Sequence, residues 1–190
     1  MLGRFFLTVS LVLFLPLTVS SAGNNEKAWD ALREGRAVLM IRHALAPGTG
    51  DPGNLDINDC STQRNLNDTG REQARAWKPF LAKHDIDEAR VFSSQWCRCM
   101  DTATGMDMGM VTEWPALNSF FRNRRDGQTQ TQQTITLANQ LGQGAPVILV
   151  SHQVNITALT GIFPASNEGV IMALPLSDDS RVLARVSPGR

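Results

Sequence analysis

The chain holds only three histidines, His43, His84 and His152, in 190 residues. Two of them stand in the same kind of place. Arg42-His43 follows the apolar run Ala37 to Ile41, and Ser151-His152 follows the apolar run that starts at Val147. A third run, Val91-Phe92-Ser93, is followed by Ser94 and, four residues later, Arg98. A neutral imidazole is a good nucleophile and divides one hard displacement into two easier ones. Arginine presents a planar fork that grips the oxygens of a small dianion in pairs. If the three runs are neighbours, Arg42 and Arg98 also hold His43 unprotonated by like-charge repulsion. They would stabilise charge that builds up on an oxyanion during transfer.

The elements that must position these residues are short. The runs at 37–41, 91–94 and 147–151 lack helical spacing and read as buried strands. Helical patterns fall between them. One starts at Thr69, with Ala74, Trp77, Phe80 and Leu81 on one face; others cover 96–104, 131–141 and 155–162. Two more strands are predicted at 170–174 and 181–186. Residues 44–67, rich in Pro, Gly, Asp and Asn, form a long loop, and 111–127 reads as irregular. Strands alternating with helices predict an α/β domain, a three-layer α/β/α sandwich around a mainly parallel sheet. Ligands of open α/β sheets bind beyond the carboxyl ends of the strands, where His43, Ser94, Arg98 and His152 would all lie.

Composition narrows the field further. Eighteen Lys+Arg balance eighteen Asp+Glu. That excludes the basic excess a nucleic-acid surface needs. Arg4, the apolar stretch Phe5 to Val19 and Ser20-Ser21-Ala22 form a secretory leader, shorter than a bilayer span and interrupted by Pro16. The reading is a signal peptide over 1–22 and one domain over 23–190. The protein would be periplasmic or secreted and free of a stable membrane anchor once cleaved. In that oxidising setting Cys60 pairs with Cys97 or Cys99, which stand too close to pair with each other. A zinc site lacks a fourth ligand.

Arg42-His43-Ala44 resembles the R-H-G signature of the histidine phosphatase (phosphoglycerate mutase-like) superfamily. Leu66-Asn67-Asp68-Thr69-Gly70 with Gln73-Ala74 resembles its L-T-x-x-G-x-x-Q-A element. Ser94, Arg98 and Thr102-Ala103 resemble its S-x-x-x-R-x-x-x-T-A element, and Val150-Ser151-His152 its third motif. The resemblance runs from about Ala37 to the C-terminus. It implies a transient phosphohistidine on His43, with Arg42, Arg98 and His152 completing the phosphate pocket, and no metal or other cofactor. The proton donor departs from the pattern. Ser119 stands where one branch of the family has a Glu in L-x-E, and Gln153 where the other has an Asp after the second His. Glu168 is the first substitute, with Asp51 and Asp59 as others.

The expectation is therefore an exported phosphomonoesterase acting on a small phosphorylated substrate. A non-catalytic binder of phospho-ligands on the same fold, or a phosphotransferase or mutase, remains open. So do the natural substrate and the oligomeric state. His84, in Lys83-His84-Asp85, reads as a solvated loop residue. The Arg122-Asn123-Arg124-Arg125 cluster is either a solvated face or the approach to the pocket for an anionic substrate. Trp77 and Phe80 read as core; Trp96 and Trp114 either pack or line the pocket.

Overall fold

The computed structural model describes residues 21–142 and 144–189. The expected leader thus lies, but for its last two residues, outside the described residues. Six strands form one sheet in the order β3-β2-β4-β1-β5-β6. These are β1 (Ala37–Arg42), β2 (Arg90–Ser93), β3 (Val111–Glu113), β4 (Val147–Ser151), β5 (Gly169–Ala173) and β6 (Val182–Val186). β1 pairs parallel with β4, and β2 pairs parallel with both β4 and β3. β5 is antiparallel to both β1 and β6, so it alone runs against the others.

Strand period builds the sandwich. Leu39 and Ile41 of β1, Ile148 and Val150 of β4 and Ile171 of β5 face one core. Val38 and Met40, Val147 and Leu149, and Val170 and Met172 face the other. Because both faces are covered, these strands are continuous apolar runs rather than alternating ones. The first core is closed by helices α1 (Ser21–Arg33), α3 (Trp77–Ala82) and α4 (Cys97–Gly105), while α2 (Asp68–Arg75) buries Ala74 in a small separate cluster with Ala44, Ala46 and Leu66. The second is closed by α5 (Gly127–Gln140) and α6 (Gln153–Thr160). The three-layer α/β/α architecture expected from the sequence is the one observed.

Three details differ from the sequence reading. The helix predicted from Thr69 is two helices joined at Ala76. Pro79 explains the break: it lacks an N–H, and its ring conflicts with the Arg75 carbonyl four residues back. The stretch 111–127 contains edge strand β3 and two single 3-10 turns, Pro115–Leu117 and Arg124–Asp126. Helix α1, which the sequence reading did not mark, buries Ala28, Trp29, Ala31 and Leu32.

Helix α2 grips the chain just after β1. Asn67 caps the helix through Oδ1, which accepts from the Gly70 N–H at 2.8 Å. The Asn67 N–H donates to the Leu45 carbonyl, and the Leu45 N–H donates to Gln73 Oε1 at 2.9 Å. A Cβ on Gly70 would stand 2.2 Å from the Leu45 carbonyl oxygen, so close approach requires glycine here. Gly70→Ala should destabilise the protein by about 1–3 kcal/mol, the range for overpacking. An unchanged urea midpoint would show that the backbone after β1 yields freely.

Candidate active site

The parallel register sets the chemistry side by side. Arg42 pairs with Ser151 and Ser93 with Val150. The His43 N–H donates to the Ser151 carbonyl, and the Ser94 N–H to the Val150 carbonyl, each at 2.9 Å. The His43 and His152 rings thus meet edge to face with centroids 5.5 Å apart. They line a pocket with Arg42, Arg64, Arg98 and Asp51. Four of the five residues expected in the site, Arg42, His43, Arg98 and His152, are therefore brought together.

Each side chain is fixed by its neighbours. His43 Nδ1 hydrogen-bonds the Ala44 carbonyl at 2.8 Å. A carbonyl only accepts, so Nδ1 carries the proton and Nε2 the free lone pair. Thr102 Oγ1 accepts from the Ala44 N–H and donates to the Arg98 carbonyl, tying α4 to the end of β1. Ser94 Oγ lies 2.9 Å from His152 Nε2 and donates to Asn118 Oδ1. His152 Nδ1 faces the Arg98 guanidinium at 3.4 Å. Arg42 anchors one end on the Pro164 carbonyl. The Nε atoms of Arg42 and Arg98 are buried with no protein acceptor, as suits donors reserved for an anion.

Burial pushes the His43 imidazole down to about 3, helped by the Arg98 charge and then by Arg42 and Arg64. Burial, Arg98 and His43 itself push His152 well below the ordinary histidine value. Both rings are neutral at physiological pH, and His43 keeps a free lone pair on Nε2.

Two residues that the sequence reading did not place complete the site. Arg64 Nε donates to the Gly50 carbonyl at 2.8 Å, and its Nη1 to Ala46, so it fixes the loop 44–67 and adds a third guanidinium. It is the only basic residue in that loop, a signal present in the sequence. Asp51, offered only as a substitute acid, pairs with Arg98 through Oδ1 to Nη1 at 2.6 Å and Oδ2 to Nη2 at 3.1 Å. The Trp96 indole N–H also donates to Asp51 Oδ2, at 3.2 Å. Burial raises the Asp51 carboxyl, but the Arg98 hydrogen bonds and charge outweigh it and hold the group below the usual carboxylate range.

The fifth expected residue, Glu168, is not in the pocket, which corrects the first choice of proton donor. It sits just before β5, and its carboxylate accepts from Arg185 of β6 at 2.5 Å and from the Ala165 N–H at 2.7 Å. The antiparallel β5–β6 pairing brings Arg185 within its reach. Asp59 also stays outside, capping the 3-10 turn Cys60–Thr62 through Ser61. His84 stacks on Trp29 with centroids 3.9 Å apart, away from the pocket. Trp114 packs on Phe92. Arg122 donates to the Pro52 carbonyl, which puts the basic cluster beside the Asp51 loop. At the mouth stand Phe121, 42% exposed, and Phe163, 70% exposed.

Cys60 and Cys97 form the disulfide, which resolves the pairing left open by the sequence. Cys99 is buried, with its sulfur 3.4 Å from His152 Nε2. Burial raises its thiol to about 12, so it stays protonated.

With this geometry in hand, residues 38–140 match the family described as the histidine phosphatase superfamily (branch 1), and the chain belongs to that superfamily. Among curated proteins, none matches the chain in sequence. Solved structures do. The protein histidine phosphatase SixA complexed with tungstate superposes with a TM-score of 0.55 at 18% identity, over 80% of this chain and 97% of that one. A mycobacterial glucosyl-3-phosphoglycerate phosphatase gives 0.56 at 17%, over 77% and 97%. An Entamoeba histolytica phosphoserine phosphatase in complex with 3-phosphoglyceric acid gives 0.57 at 13%, over 80% and 96%. At these identities the likeness shows the shared fold.

The buried histidines and the disulfide each lead to a prediction. In the unfolded chain histidine protonates near 6.5, whereas folded His43 resists protonation down to about 3. Between those values the unfolded state binds the extra proton, so stability is lost as pH falls. The urea midpoint should drop from pH 7 to pH 4, and His152→Asn should flatten that dependence; an equally steep dependence in the variant would count against it. The bridge between Cys60 and Cys97 spans 37 positions in sequence. Replacing both with serine should lower stability by about 2–4 kcal/mol, measured without reductant.

Proposed function

We propose that this chain is an exported phosphomonoesterase that works through a phosphohistidine on His43. The observation that carries the reading is the His43 ring itself. It is buried, pinned through Nδ1, unprotonated at Nε2, and placed in a pocket with three guanidinium groups. Nε2 attacks phosphorus, the ester P–O bond breaks, and the leaving oxygen departs as the alcohol after taking a proton. Water then attacks the phosphohistidine, the P–N bond breaks, and phosphate leaves.

Arg42, Arg98 and His152 hold the three phosphoryl oxygens as charge shifts among them, and Arg64 adds to the field. In the free site Ser94 donates to Asn118 and Arg98 faces His152 Nδ1, so Nδ1 is the acceptor and Nε2 carries the hydrogen. Once Arg98 turns to the phosphoryl group, the Ser94 hydroxyl can turn to donate to Nε2, which leaves Nδ1 to carry a hydrogen toward a phosphoryl oxygen without charging the ring. The alcohol portion of the ester would leave past Phe121 and Phe163. A leader over 1–22 and the Cys60–Cys97 bridge both suit an oxidising compartment outside the cytosol.

The purified protein should hydrolyse p-nitrophenyl phosphate, and brief incubation with labelled phosphate ester should trap an acid-labile, base-stable phosphoenzyme. His43→Ala should abolish both. Hydrolysis that persists in the variant would falsify the mechanism. Binding of inorganic phosphate without turnover of any ester would leave the chain a phospho-ligand binder.

A further inference from the structure

We propose that Asp51 is the proton donor to the leaving group, switched from base to acid by the arrival of substrate. The proposal rests on the phosphohistidine reading above and supplies the acid which that reading lacks. Asp51 is the only carboxylate among the pocket residues. The other acids near the site are engaged elsewhere: Glu168 with Arg185, Asp59 with Ser61, and Glu113 with Gln95.

The position of Asp51 explains how it would become an acid. Its two oxygens occupy Nη1 and Nη2 of Arg98, while Arg98 Nε stands without a protein acceptor. A phosphoryl dianion that enters at Nε competes with the carboxylate for the same guanidinium and repels it, and on this proposal the substrate displaces Asp51. The backbone can accommodate this. Gly50 precedes Asp51 with φ +71 and Gly48 lies two residues earlier with φ +91, the left-handed region where glycine moves freely. The Trp96 N–H remains at hand to keep the displaced side chain in the pocket.

Displacement reverses the balance of forces on the carboxyl. Facing it are Arg98 from α4, Arg64 from its own loop and the neutral His43 and His152 at the ends of β1 and β4. In the free protein Arg98 outweighs burial and keeps Asp51 ionised. Once Arg98 and Arg64 turn to the phosphoryl group, burial remains and a dianion lies alongside. Both favour the protonated form. Asp51 therefore takes up a proton from solvent and gives it to the ester oxygen as the P–O bond breaks. The resulting carboxylate then takes a proton from the water that attacks phosphorus as the P–N bond breaks; when phosphate is released, Asp51 returns that proton to solvent and pairs again with Arg98 as the carboxylate.

The test compares leaving groups. Asp51→Asn should lower kcat/KM on glycerol 3-phosphate by about 100- to 1,000-fold, the size of a general-acid contribution. On p-nitrophenyl phosphate, whose leaving group needs little protonation, the loss should stay within about tenfold on the same reasoning. Asp51→Glu should recover part of the alkyl-ester activity. In the unaltered protein, kcat/KM should change little with leaving-group pKa across aryl and alkyl esters. A steep dependence there would overturn the proposal even if the asparagine variant did not fold. Equal losses on both esters, or faster alkyl-ester hydrolysis by the variant, would also overturn it; the second result would mark Asp51 as a plug. An unaltered protein that turns over neither ester and matches His43→Ala would defeat the phosphohistidine reading as well.

Discussion

The burial of the Arg98 guanidinium is the constraint on which the rest of the site depends. Its side chain is 3% exposed, and that of its partner Asp51 is 7% exposed. Leaving a buried charge without a partner typically costs about 3–5 kcal/mol. The loop 44–67 must therefore bring a carboxylate to the mouth of the sheet. Arg64 holds that loop by its own carbonyls at Ala46 and Gly50. The Cys60–Cys97 bridge fastens its far end to the residue just before Arg98. Thr102 completes the frame by joining the Arg98 carbonyl to the Ala44 N–H.

Burial first, and then this concentration of positive charge, decide the state of the groups around the pocket. Arg42 and Arg64 are themselves lowered, first by burial and then by Arg98. The two histidines respond by staying neutral, which gives His43 its lone pair. Cys99 responds differently. Burial outweighs the nearby arginines and keeps its thiol protonated, so a second potential nucleophile 3.4 Å from His152 is silent. One environment thus leaves the imidazole its lone pair and the thiol its proton, because desolvation opposes the charged form of each group.

The fold and half of the site were legible in the sequence for a physical reason. Strands buried on both faces announce themselves as apolar runs, and parallel register then places Arg42-His43, Ser94 and Ser151-His152 at one edge. What the sequence hid depends on loop conformation. Nothing in the spacing of Asp51 and Arg98, 47 positions apart, predicts that they touch. Arg64 looked like any loop arginine, and Glu168, close in sequence to β5, looked better placed than it is. Its carboxylate follows strand pairing toward Arg185, a contact that only the β5–β6 pairing discloses. The break at Ala76 was readable from Pro79, but the apolar face running through Trp77 to Leu81 concealed it.

In the proposed phosphatase reaction the Asp51–Arg98 pair would also bear on turnover. A pocket with three arginines and two neutral histidines, open to a dianion, would bind the phosphate product as readily as it binds the phosphoryl group of the substrate. Arginine–phosphate pairs are strong and bidentate, and low dielectric strengthens them further. A resident carboxylate changes that comparison. In the proposed reaction an entering phosphate species displaces Asp51 from Arg98, so each bears the same penalty for breaking a buried ion pair. An ester would offset part of the penalty if its alcohol portion touched Phe121 and Phe163, which line the pocket. Free phosphate has no such portion, and Asp51 can return to Arg98 as it leaves. In that reaction the carboxylate weakens every phosphate species alike, which speeds release of product, while the contacts of the alcohol portion at the mouth are what would favour substrate over product.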